Sequence, residues 1–129
     1  MLEKVFYPLS HEFLLEHNGR AIDHYWANWD LCNIAAIQAI DVLSDNSSMY
    51  DEAVDYYKNG AGNGQLEKAI WRLYDDSDVP EKKLGQCQES GRDQDHAMLN
   101  FALHGVVAQQ AWPQGDDLFG ALDSRILAG

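Results

Sequence analysis

Basic residues are scarce in this chain. Nine Lys and Arg stand against 21 Asp and Glu, a net charge of −12 that repels nucleic-acid phosphates, and no basic stripe offsets it. Long apolar runs are also missing. No segment approaches the roughly eighteen continuous apolar residues of a membrane span, so no membrane partner is expected. The start, Met1-Leu-Glu-Lys-Val-Phe-Tyr-Pro8, has no basic region followed by an apolar run and therefore no secretory signal. The expectation is a cytoplasmic protein or one whose leader is removed. Only two cysteines occur, Cys32 and Cys87, and they do not fix the redox compartment. Cys32 falls within an apolar helical pattern and is expected to be a buried thiol. Strand signals, short repeats and low-complexity segments are nearly absent.

What remains is helical. The 129 residues suffice for one domain, residues 1–129, and 46% hydrophobic content with 23% charge argues against disorder. Residues 1–25 read as an irregular entry with a short amphipathic piece from Glu12 to His17. Trp29 to Leu43 carries Leu31, Ile34, Ile37 and Val42 at helical intervals. A second helix, capped by Ser48, runs to about Lys58 and buries Met49, Ala53, Val54 and Tyr57. Asn59 to Gly64 is a loop whose alternating glycines permit left-handed backbone. A third helix spans about Gln65 to Tyr74, and Asp75 to Gln88 reads as a polar loop containing Pro80. The fourth and most apolar helix covers about Asp93 to Trp112, with Ala97, Phe101, Leu103, Val106, Val107 and Ala111, and Pro113 ends it. Asp116 and Asp117 favour a last turn around Leu118 to Leu122. The fourth helix is apolar on most sides, which predicts a larger helical body or a homo-oligomer formed through exposed apolar faces.

Several patterns invite a chemical reading. His11-Glu12 and His17 miss the four-residue spacing of a zinc helix, Gly60 to Gly64 lacks the strand and spacing of a dinucleotide loop, and Asp75, Asp76 and Asp78 lack a calcium ligand ladder. No metal or cofactor is therefore expected. Asp23-His-Tyr-Trp-Ala-Asn-Trp-Asp-Leu-Cys-Asn33 is richer. Its Trp26 and Trp29 offer faces for sugar rings and its Asn28, Asp30 and Asn33 offer hydrogen-bonding edges. Equally, the tryptophans staple a helix entry and Asp30 favours a helix N-terminus. Gln86-Cys-Gln-Glu-Ser-Gly-Arg-Asp-Gln-Asp-His96 precedes the fourth helix. A helix starting near Gly91 would place Arg92 and His96 on one face with Gln88 behind them, a site suited to a carboxylate. Because the chain is acidic, such a site must be locally positive, and Arg92, Lys58 and Arg72 are among the few residues able to make it so. His104 lacks such company and reads as structural.

Four blocks in order, Asp23 to Asn33, Asp51 to Gly64, Gln88 to His96 and Ala111 to Gly120, make residues 5–129 resemble the alginate lyase domain family of polysaccharide lyases. The resemblance implies an all-α fold, a partial α/α toroid, and a periplasmic or secreted location. It implies β-elimination on 4-linked uronic-acid polymers of alginate or glucuronan type, so the expected partner is an anionic polysaccharide. Asn28 matches the amide that would hold the substrate carboxylate. His96 matches the motif histidine and would be base or carboxylate partner. Arg92 and Gln94 would bind or orient, although Arg92 equally suits an acidic neighbour such as Glu89, and Trp29 and Gln88 would line the sugar subsite. The chain departs from the pattern in three ways. The proton-donor tyrosine of the family would lie beyond Gly129, and none of Tyr7, Tyr25, Tyr50, Tyr56, Tyr57 and Tyr74 matches it. Most upstream toroid helices have no counterpart, and Pro113 stands where a typical member has a non-proline residue. The alternative is thus a catalytically inactive lyase fragment or a sugar-binding helical module.

Overall fold

A computed structural model describes residues 1–75 and 83–129. Helix α1, Tyr7–Glu16, follows a π-helical turn at Leu2–Phe6. The irregular entry expected before residue 25 is therefore largely helical. Pro8 sits at the start of α1, where its fixed φ suits the first turn and its missing N–H costs nothing. Exposed Leu9 and Leu15 blur the apolar stripe made by Phe13 and Leu14, which hides α1 from a periodicity reading. It stops where His17, Asn18 and Gly19 turn left-handed.

Helix α2, Ala27–Ser44, is the hub, packing on α1, α3 and α5. Ala27, Leu31, Ile34, Ile37 and Ile40 recur at helical spacing and are buried. Cys32 lies one position off that stripe and is exposed, so it is Cys87 that forms the buried thiol. Helix α3, Ser47–Asn59, buries Met49, Ala53, Val54 and Tyr57 as expected, together with Tyr50. Its cap position is Asn46 rather than Ser48, whose hydroxyl instead donates to Asn46 Oδ1 at 2.7 Å.

The glycine loop after α3 is present, but none of Gly60, Gly62 and Gly64 has positive φ. These glycines serve close approach instead. A Cβ on Gly64 would run into the Asp30 side chain, and one on Gly62 would meet the Tyr56 hydroxyl and the Asp30 carboxylate. The contact matters because Asp30 is fully buried. Its Oδ1 lies 2.8 Å from His17 Nε2, and its Oδ2 accepts the Gly64 N–H at 2.8 Å. The carboxylate thus ties the end of α1, the first turn of α2 and the glycine loop together.

Helix α4 is only Leu66–Ala69. The expected helix to Tyr74 ends at Ile70, whose backbone leaves the helical region at φ −109° and ψ 77°, and Arg72–Asp75 forms strand β1. It pairs antiparallel with β2, Lys83–Gln86, with Arg72 opposite Gln86 and Asp75 opposite Lys83. The loop expected from Asp75 to Gln88 is therefore strand at Lys83–Gln86, while Asp76, Asp78 and Pro80 lie outside the described residues. The Tyr74 hydroxyl donates to Gln86 Oε1 at 2.6 Å and the Arg72 guanidinium stacks over the Tyr74 ring.

Helix α5, Gln94–Ala111, buries Asn100, His104, Val107, Ala108 and Ala111. The expected apolar face is displaced: Phe101 and Leu103 are half-buried, and Val106 is exposed with Met98 and Leu99. Two polar residues occupy the core face, so an apolar count points to the wrong side. A 3-10 turn at Trp112–Gln114 carries Pro113 past the end of α5. The last turn falls later than Leu118 to Leu122, at Ala121–Ser124, where Leu122, Asp123 and Ser124 are left-handed with φ of +50° to +59°, followed by a 3-10 turn at Arg125–Ala128. The described residues are thus mostly α-helical with one small hairpin, and no described helix is long and apolar enough to cross a membrane.

Gly64→Ala forces the buried Asp30 side chain aside and lowers the urea unfolding free energy by about 2–3 kcal/mol. Gly105→Ala, in open space inside α5, raises it by about 1 kcal/mol. His104 is hydrogen-bonded through Nδ1 to the Tyr57 hydroxyl at 2.8 Å. Burial lowers its pKa from 6.5 to about 4. Between these values the folded state binds fewer protons than the unfolded chain. The stabilising contribution is whole above pH 6.5 and is lost as pH falls through 4, amounting to about 3 kcal/mol. Urea titrations at pH 7 and pH 4 are expected to show a loss of stability on acidification that is about 3 kcal/mol larger in the wild type than in His104→Gln.

Candidate functional site

A cleft of about 520 Å³ opens between the first turns of α2, the turn at residues 88–93 and the first turns of α5. It is lined by Asn28, Trp29, Cys32 and Asn33 from one side and by Glu89, Arg92, His96 and Leu99 from the other. The outer residues of α2 arrive there by spacing alone, since Trp29, Cys32 and Asn33 stand at i, i+3 and i+4 on the face away from Leu31 and Ile34.

Gln88 seats the opposite wall. Its Oε1 accepts the Ala27 N–H at 3.1 Å, satisfying a free donor at the start of α2, and its Nε2 donates to the Lys68 carbonyl at 3.0 Å. The Gln88 N–H donates to the Ala69 carbonyl at 2.9 Å. Gln88 is therefore a clasp behind the cleft, not part of its lining. Gly91, at φ +93°, lets the chain reverse before α5. Glu89 is buried within this turn and its Oε2 lies 3.3 Å from Arg92 Nη1. Arg92 Nε lies 3.8 Å from Asp93 Oδ2. The guanidinium thus serves the acidic neighbour, and its charge is shared between two carboxylates.

Helix α5 begins at Gln94, so Arg92 precedes the cap and does not share a helical face with His96. Both nevertheless reach the same cleft. Gln94 is exposed and does not line it. Asp93 is the N-cap, its Oδ1 accepting the His96 N–H at 2.8 Å. The same carboxylate holds the His96 ring, with Nδ1 at 2.8 Å from Oδ1 and 2.7 Å from Oδ2. These interactions, the His96 backbone N–H first among them, keep the Asp93 carboxyl below its ordinary pKa.

Asn28 is nearly buried and spans the two helices. Its Nδ2 donates to the His96 carbonyl at 3.1 Å, and its Oδ1 accepts from Asn100 Nδ2 at 2.9 Å. The amide is oriented by both bonds, and one Nδ2 hydrogen has no protein acceptor among the described residues. Trp29 is half-exposed at the rim, with the Tyr25 ring 5.1 Å away and the Phe13 ring 6.1 Å away.

No tyrosine lines the cleft among the described residues. The hydroxyls of Tyr7, Tyr50 and Tyr57 are engaged by Glu52, Asp116 and His104, and that of Tyr25 accepts from Asn18. The histidines of the false zinc pattern also serve separate partners, His11 lying against Glu52 and His17 against Asp30.

The structure therefore brings together Asn28, Trp29, Arg92 and His96, and leaves Gln88 and Gln94 outside the lining. Sequence reasoning missed Asp93, Asn100 and the exposed Cys32. Asp93 had a legible signal, an acidic residue directly before a helical run with a histidine three positions on. Asn100 had none. No protein family, curated protein or solved structure matches this chain.

Proposed function

We propose that the chain is a polysaccharide lyase domain, part of an α/α toroid, that cleaves 4-linked uronic-acid polymers by β-elimination. One observation carries the reading. Two motifs some sixty residues apart in sequence supply Asn28 and Trp29 on one wall and Arg92 and His96 on the other wall of a single cleft. The chemistry asks for that set. Removing the C5 proton beside the C6 carboxylate places charge on the carboxylate oxygens, and an oriented amide such as Asn28 stabilises that charge without quenching a nearby base. His96 takes the C5 proton. The C4–O bond breaks, a C4–C5 double bond forms, and the departing oxygen takes a proton from solvent or from a donor outside the cleft lining. Trp29 offers a flat apolar face to a sugar ring.

A second reading, a sugar-binding module without turnover, is favoured by the lack of a tyrosine in the described cleft lining and by the sharing of Arg92 between Glu89 and Asp93. Both readings are separated by incubating the chain with alginate, polymannuronate, polyguluronate and glucuronan while following the ultraviolet absorbance of the unsaturated product. The lyase reading expects absorbance to rise with at least one polymer and to fall on the order of 10²-fold or more in His96→Ala. A flat trace with every polymer, accompanied by retarded migration in a gel containing the polymer and loss of that retardation in Trp29→Ala, selects the binding module.

A further inference from the structure

We infer that Asp93 is a positioning residue that holds the His96 imidazole as its Nδ1–H tautomer and leaves Nε2 as the ring's free proton acceptor at the cleft wall. An ionised carboxylate accepts hydrogen bonds and cannot donate them. Asp93 is held ionised by the backbone N–H of His96, by the exposed start of α5 and by the Arg92 guanidinium. Both of its oxygens stand within 2.8 Å of His96 Nδ1, so the proton on a neutral ring belongs on that nitrogen. Nε2 then carries the lone pair. A free neutral imidazole in water prefers the opposite tautomer, so the arrangement is imposed by the fold.

The local backbone makes the arrangement economical. Residues three apart at a helix start lie one above the other, and the cap position is outside the helix with its side chain turned back over the first turn. One carboxylate therefore closes the first turn through its contact with the His96 N–H and orients the ring of the same residue. The second wall keeps that ring in place, because Asn28 Nδ2 holds the His96 carbonyl from α2. The catalytic meaning of the free Nε2 rests on the proposed lyase reading, whereas the position of the proton rests on the geometry alone.

The test uses Asp93→Ser, because serine caps helices about as well as aspartate but presents a hydroxyl that does not select the same tautomer. Ring-nitrogen NMR of the folded chain at pH 8 is expected to show His96 as Nδ1–H in the wild type and predominantly Nε2–H in the variant, with unchanged helix content by circular dichroism. On a polymer that the wild type cleaves, kcat is expected to fall on the order of 10²-fold with KM unchanged. A wild-type His96 already in the Nε2–H form overturns the inference without any need for the variant to fold. So does a tautomer unchanged in a folded Asp93→Ser protein. A wild type that shows the Nδ1–H form yet cleaves no polymer supports the placement of the proton and removes the lyase reading instead.

Discussion

The buried carboxylate of Asp30 is the constraint on which the rest of the fold depends. Burial pushes its pKa up, and the Gly64 N–H and the His17 ring partly compensate for the lost water. A buried carboxylate without such partners is strongly destabilising. The chain meets that demand from two directions. Left-handed backbone at His17 and Asn18 brings the end of α1 over α2, and side-chain-free positions let the 60–64 loop come close enough for its amide to reach. Asp30 lies two residues from Asn28 and one from Trp29, so the same interaction that closes the core also fixes the helical turn that forms one cleft wall.

How much of this was legible depended on whether apolar residues mark the buried face. In α3 and along most of α2 they do, and Leu31, Ile34, Ala53, Val54 and Tyr57 were found where periodicity placed them, but at the end of α2 the expected Val42 is exposed while Gln38 and Asp41 are buried. In α5 the buried face includes Asn100 and His104, whose partners are on α2 and α3, so no local pattern announces them. The β1–β2 hairpin was missed for a different reason. Arg72 to Asp75 continues a helical spacing, and only the non-helical backbone at Ile70 and the pairing with residues 83–86 divert it. At the site, the residue types in the two motifs were readable, but their meeting was not. Gln88 and Gln94 carry the same functional group with different fates, one clasping α2 and the other facing solvent. Tertiary position alone separates them.

The electrostatics of the cleft also changes how an anionic polymer would be held. Arg92 is flanked by Glu89 and Asp93, so the cleft has no surplus of positive charge, and the whole chain is strongly acidic. Long-range attraction cannot bring a polyanion in. Recognition in the proposed lyase must rest on short-range contacts from the Asn28 amide, the His96 ring and the Trp29 face. Association of this kind is strengthened by salt that screens the mutual repulsion, the reverse of what cationic sites show.

The Asn28 bonds have a further mechanical meaning. Asn28 meets α5 at two points one helical turn apart, the carbonyl of residue 96 and the side chain of Asn100. Apolar side chains tolerate sliding, because one methyl group replaces another at little cost. Directed amide bonds do not. A shift of α5 by a single turn, about 5.4 Å, would bring another backbone carbonyl opposite the Asn28 amide but no second amide side chain, leaving the Asn100 bond unmade in a nearly dry environment. The pair therefore acts as a register pin between two helices, setting the depth at which the His96 ring stands relative to the Trp29 face.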